Sequence, residues 1–117
     1  MKQESTSHIC TVKDQIDIKY VEDTLYVLHG KWRLSIIISL YNGNRRYREI
    51  ARSIPKITFT MLSKELKFME LNNLVKRSED PDFPKMVEYE LTDYSESLYP
   101  IIEKMLEWGK SHRKEIT

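Results

Sequence analysis

Cysteine, glycine and long apolar runs are scarce in this 117-residue chain, and each scarcity closes off a class of function. Cys10 is the single cysteine, so no internal disulfide can form, and a reducing cytoplasm is the simple expectation. The glycines, Gly30, Gly43 and Gly109, stand far apart, which excludes the clustered glycines of a phosphate-cradling loop. His8, His29 and His112 share no metal-ligand spacing with one another or with Cys10. The longest aliphatic run, Ile36 to Ile38, is far short of a membrane span, and Met1 to Ser7 lacks the apolar stretch of a signal peptide. Asp80 and Asp82 fall in an expected exposed loop, where paired carboxylates solubilise rather than exchange protons. No enzyme, cofactor, metal or membrane partner is expected.

An overall charge is missing too, since the chain nets only +1. Its distribution is uneven. Between Asn44 and Arg77, nine Lys or Arg face three Glu, a local +6 against −5 for the remaining 83 residues. Such a concentration, threaded between apolar positions at helical spacing, suits a polyanion, and nucleic acid is the first candidate.

The apolar spacing predicts four helices before residue 73. Met1 to about Ile16 is polar and weakly patterned and reads as a flexible arm or a short dimer-facing segment, with a domain boundary at 18 and one domain over 19–117. From Tyr20, Val21, Leu25 and Leu28 repeat at helical intervals, with Gly30 as a stop. Trp32, Ile36 and Leu40 continue the spacing up to Asn42-Gly43-Asn44, and Tyr47, Ile50, Ala51 and Ile54 give a short third helix ending before Pro55. In the fourth, Thr58 is the expected N-cap and Leu62, Leu66 and Met69 form the inward stripe, while Asn72 ends the run. Thr60, Ser63, Lys64 and Lys67 cluster on the opposite arc, small, hydroxylated and basic. Phe68 belongs to neither face.

Leu74 to Ser78 and Met86 to Leu91 read as two strands joined by a loop too long for a tight turn. Thr92 or Asp93 can then cap a last helix carrying Leu98, Ile101, Ile102, Met105 and Leu106. Pro100 must either kink that helix or restart it. The stripe runs on to Trp108, longer than a small core needs, and suits a partner helix. This order is mainly α with a small β-hairpin: a winged helix-turn-helix with an added C-terminal dimerisation helix. In that arrangement the second helix of the pair enters the major groove and the hairpin lies along the backbone.

Six blocks of residues then carry a family resemblance: Val21 to Leu25; Gly30-Lys31-Trp32; Arg45 to Ile50; Met61-Leu62-Ser63 with Leu66; Leu74-Val75 with Arg77; and Val87 to Thr92. Over about Lys19 to Trp108 the chain resembles the HxlR-type transcriptional regulators. The resemblance implies a homodimer, built from the first and last helices, bound to double-stranded DNA at pseudo-palindromic operators. It implies a recognition helix over about Thr58–Asn72 that offers Thr58, Thr60, Ser63, Lys64 and Lys67, with a wing over about Leu74–Leu91. Arg45, Arg46, Arg48, Arg77 and Lys85 complete the expected DNA-binding set.

The chain also departs from the family pattern. Lys19 stands where the family often carries a reactive cysteine, and Cys10, nine residues upstream, is the candidate redox-sensing thiol. Thr60 and Met86 replace family basic residues, Lys85 is offset by one position, and Glu79, Asp80 and Asp82 make the wing loop acidic. These departures define the competing reading, a winged-helix module that binds protein and has lost DNA binding.

Overall fold

The computed structural model describes residues 11–79, 81–82 and 86–117; Cys10 and Lys85 lie outside the described residues. Contacts divide the chain into two compact units, Met1–Gly30 and Lys31–Thr117.

The first unit carries α1, Gln15–Leu28. It begins at Gln15 instead of following an arm to residue 18. The cause is local: the Asp14 carboxylate accepts from the Asp17 backbone N–H at 2.9 Å, and the Asp17 carboxylate accepts from Lys13 N at 3.0 Å. Capping of this kind supplies partners for first-turn donors without any apolar burial, so apolar spacing alone placed the start too late. Within α1 only Leu28 is buried. Gly30, at φ 115°, takes the left-handed conformation that stops the helix.

The second unit runs α2 (Arg33–Tyr41), α3 (Tyr47–Ser53), α4 (Phe59–Leu71), β1 (Val75–Glu79), β2 (Val87–Leu91), a 3₁₀ turn (Tyr94–Leu98) and α5 (Tyr99–Ile116). Ile36, Ile50, Leu62, Leu66 and Met69 are its fully buried side chains, one from α2, one from α3 and three from α4. The expected inward stripe of α4 is therefore the centre of the core. Trp32, expected in that core, is half-buried at the N-cap of α2, with the Lys31 ammonium 4.9 Å from its ring centroid.

Phe68 finds its role across helices. The Arg33 guanidinium lies over its ring at 3.5 Å, while Arg33 Nε donates to Glu65 Oε1 at 2.8 Å. These two charges are 15% and 17% exposed, so α2 is tied to α4 by an ion pair largely shielded from water and stacked on an aromatic face.

Asn73 (φ 60°) turns the chain out of α4, and Thr92 ties the far end of the hairpin back to it. Thr92 Oγ1 donates to Asn73 O at 2.6 Å and accepts from Ser95 N at 3.1 Å, so Thr92, not Asp93, caps the turn that follows. Pro100 sits in the first turn of α5 and restarts the helix there. The strands pair antiparallel, with Val75 opposite Leu91 and Glu79 opposite Val87, one residue beyond the expected first strand. No described helix is long and apolar enough to cross a membrane.

Candidate nucleic-acid interface

The ridge expected on α4 is exposed along its length: Thr60, Ser63, Lys64 and Lys67 all face solvent. The helix beneath it is firmly seated. Leu62, Leu66 and Met69 are almost fully buried, and Thr58 Oγ1 accepts from Met61 N at 3.1 Å to cap the first turn. Rigid seating matters because a side chain can discriminate bases only if its backbone holds position against the duplex.

Tyr47, at the start of α3, adds a second constraint. Its hydroxyl donates to the Phe59 carbonyl and shares a hydrogen bond with Ser63 Oγ, and its ring packs 5.5 Å from the Phe59 ring. The two helices of the pair are thus fastened at the N-terminal end of α4.

The turn between them, Ile54 to Thr58, places Lys56 at φ 72°, the left-handed region that a side chain resists. Lys56 is therefore best described as a turn residue. Arg48 is exposed on α3, where it lines an open cleft of about 400 Å³ with Ala51, Arg52, Ile57 and Phe59.

Arg45 and Arg46 occupy a place that sequence reasoning did not foresee. Tyr89 N donates to Arg45 O at 2.8 Å, and Arg46 bridges Glu88, so this short extended segment pairs with the free edge of β2. The pairing brings Arg45 to 3.6 Å from Glu90 and Arg46 to 3.8 Å from Glu88, while Lys76 approaches Glu90 at 3.8 Å. Three cations and two carboxylates consequently share one face of the hairpin. Alternation along a strand puts Glu88 and Glu90 on one side of β2; the missing signal was that residues 45–46 would lie beside them.

Arg77 is opposite Tyr89 in the register and so lies on the other face, away from Arg45 and Arg46. Interaction with the Tyr89 side chain is the main cause raising the Arg77 pKa above its ordinary value, with Glu79 adding to it. The described members of the expected set thus separate into the α4 ridge with its N-cap Thr58, Arg48 on α3, a hairpin face bearing Arg45 and Arg46, and Arg77 on the opposite hairpin face.

Glu49 secures the arginine segment. One carboxylate oxygen accepts from Arg45 N at 3.0 Å and Arg46 N at 3.1 Å, and these backbone bonds hold its pKa below the usual carboxylate value. A lowered folded-state pKa means the contribution is present above the unfolded value and is lost as pH falls through the folded one. Glu49→Ala should therefore lower the melting temperature slightly at neutral pH, with the difference vanishing in acid. Equal differences at pH 7 and in strong acid would contradict this.

A tri-helical core, a seated helix with an exposed hydroxylated and basic ridge, and a flanking two-stranded hairpin define a winged helix-turn-helix. The family profile described as HxlR-like helix-turn-helix matches residues 27–117, and the chain belongs to that family. Among relatives, an HTH-type transcriptional regulator of Halalkalibacterium halodurans is 42% identical over 98 residues, covering 79% of this chain and 87% of its own. The HTH-type transcriptional regulator YdzF of Bacillus subtilis is 43% identical over 89 residues, covering 75% and 82%.

Two solved structures are similar in both fold and sequence. The redox regulator HypR in its reduced form has a TM-score of 0.75 at 37% identity, covering 83% of this chain and 96% of its own. Reduced YodB from B. subtilis has a TM-score of 0.70 at 31% identity, covering 86% and 90%. The chain is a helix-turn-helix transcriptional regulator of the DNA-binding kind, not an enzyme.

Proposed function

We propose that the protein acts as a homodimer on pseudo-palindromic operators, with the α4 ridge of each protomer in the major groove. The observation that carries this reading is the exposed arc of Thr60, Ser63, Lys64 and Lys67 on a helix whose opposite side is fully buried. Short and basic side chains on a rigid helix suit base edges, which the major groove displays in distinguishable patterns. Thr58, at the N-cap, and Arg48 flank the ridge and approach the phosphates beside it. Arg45 and Arg46 meet backbone phosphates, displacing Glu90 and Glu88; exposed pairs of this kind are worth only about 0–1 kcal/mol, so a phosphate can displace them. Arg77, on β1, is assigned to the backbone contact of the wing, and Lys85, outside the described residues, is assigned to the same contact by the family resemblance alone.

The dimer reading rests on α5, an 18-residue helix with no buried residue. Ile101, Met105 and Trp108, 40%, 43% and 66% exposed, fall on one side of this amphipathic helix, and Leu106, 57% exposed, lies about 100° further round. A face of that kind calls for a partner. Separately, α1 exposes Ile16, Tyr20, Leu25 and Tyr26. In a two-fold dimer the two ridges would sit about 34 Å apart, one turn of DNA. Leu106→Asp should convert a species of twice 14.0 kDa to a monomer in sedimentation and abolish operator binding with it. A variant that stays dimeric contradicts the α5 seam.

Selection of bound sequences from random duplexes tests the whole reading. It should return a two-fold motif whose affinity falls steeply with salt, because released counterions drive the binding. A protein-binding module would enrich no motif and show no such slope.

A further inference from the structure

We infer that Tyr47 commits Ser63 to reading an amino group, so that the base beside Ser63 is an adenine or a cytosine. This rests on the proposed placement of α4 in the major groove.

The argument is a count of protons. A tyrosine hydroxyl owns one hydrogen, and a backbone carbonyl owns none. Tyr47 gives its hydrogen to the Phe59 carbonyl, so the bond between Tyr47 Oη and Ser63 Oγ can form only with Ser63 as donor. Ser63 in turn owns one hydroxyl hydrogen, and it is then spent. What Ser63 shows to solvent is a pair of lone pairs and nothing to give. In the major groove, adenine N6 and cytosine N4 carry the amino hydrogens that such an oxygen can accept. Guanine and thymine present only acceptors on the corresponding edge. A serine that can turn its hydroxyl either way is indifferent between these two sets; a serine held by Tyr47 is not. Tyr47 is thus a positioning residue, acting on the sequence preference through Ser63.

The test uses the selected operator with single functional groups deleted. At the position that Ser63→Ala renders indifferent, the amino group is removed by substituting purine for adenine or 2-pyrimidinone for cytosine. Wild-type protein should lose about 3- to 10-fold in affinity, the worth of one neutral hydrogen bond, while Ser63→Ala should bind both duplexes alike. Tyr47→Phe frees the serine hydrogen and should shrink the penalty, letting guanine or thymine be accepted there. A merely structural role for Tyr47 would lower affinity on all duplexes and leave the penalty intact, which would overturn the inference. So would a loss on deleting a purine N7 acceptor in place of the amino group, since that makes Ser63 a donor. The two layers fail differently. If Lys64→Ala relaxes the preference and Ser63→Ala does not, the ridge stands and this inference falls. If neither variant changes the preference, the groove reading falls, and the Ser63 assignment with it.

Discussion

Leu66→Ala should cost about 2–5 kcal/mol of folding stability, the largest effect expected of any single substitution named here. Leu66 is 1% exposed, at the middle of the α4 stripe between fully buried Leu62 and Met69. Truncation removes three carbons' worth of transfer free energy and leaves a void that α2 and α3, packed on the same core, cannot close without moving. A domain of this size has about 5–15 kcal/mol in total, so the loss is a large fraction of what holds it together. Urea titration should show a lower midpoint with an unchanged slope. The adjacent Lys67→Ala, on the exposed side of the same helix, should change stability by less than about 0.5 kcal/mol. Comparable losses for the two variants would mean that α4 is not seated as described.

Lys64→Ala should have the largest effect on base preference while leaving both the fold and the dimer intact. If its ammonium meets a guanine edge, the variant loses about 1–3 kcal/mol on the operator and tolerates other bases at one position. Arg45→Ala should instead weaken binding to every duplex and flatten the salt dependence by about one phosphate's share per protomer. Its effect is tempered by Glu90, which holds the same guanidinium at 3.6 Å in the free protein. The contrast between the two variants separates reading bases from holding backbone, and it does not depend on knowing the operator beforehand.

The helices and the ridge were legible because periodicity reports burial, and burial here is decided within single elements. Leu62, Leu66 and Met69 announced the inward side of α4, and the outward arc followed by geometry. Thr58 announced the helix start for a local reason, the need of first-turn donors for an acceptor. What stayed hidden depends on partners remote in sequence. Phe68 looked idle because its role requires Arg33, 35 positions earlier and on another helix. Arg45 and Arg46 read as free phosphate anchors because nothing in a linear chain says that β2 will run alongside them. Tyr47 looked like one more core position; its hydroxyl matters only because α4 begins within its reach. The start of α1 was missed for a different reason: two aspartates set it locally, through backbone caps that apolar spacing does not report.

The central claim, two α4 ridges in successive major grooves, is tested most directly by methylation protection on the selected operator. Dimethyl sulfate marks guanine N7 in the major groove and adenine N3 in the minor groove. Wild-type protein should shield guanine N7 in two blocks about 10 base pairs apart, and Lys64→Ala should restore reactivity at one guanine in each block. Shielding confined to adenine N3, or a single unpaired block that Lys64→Ala leaves intact, would contradict the account.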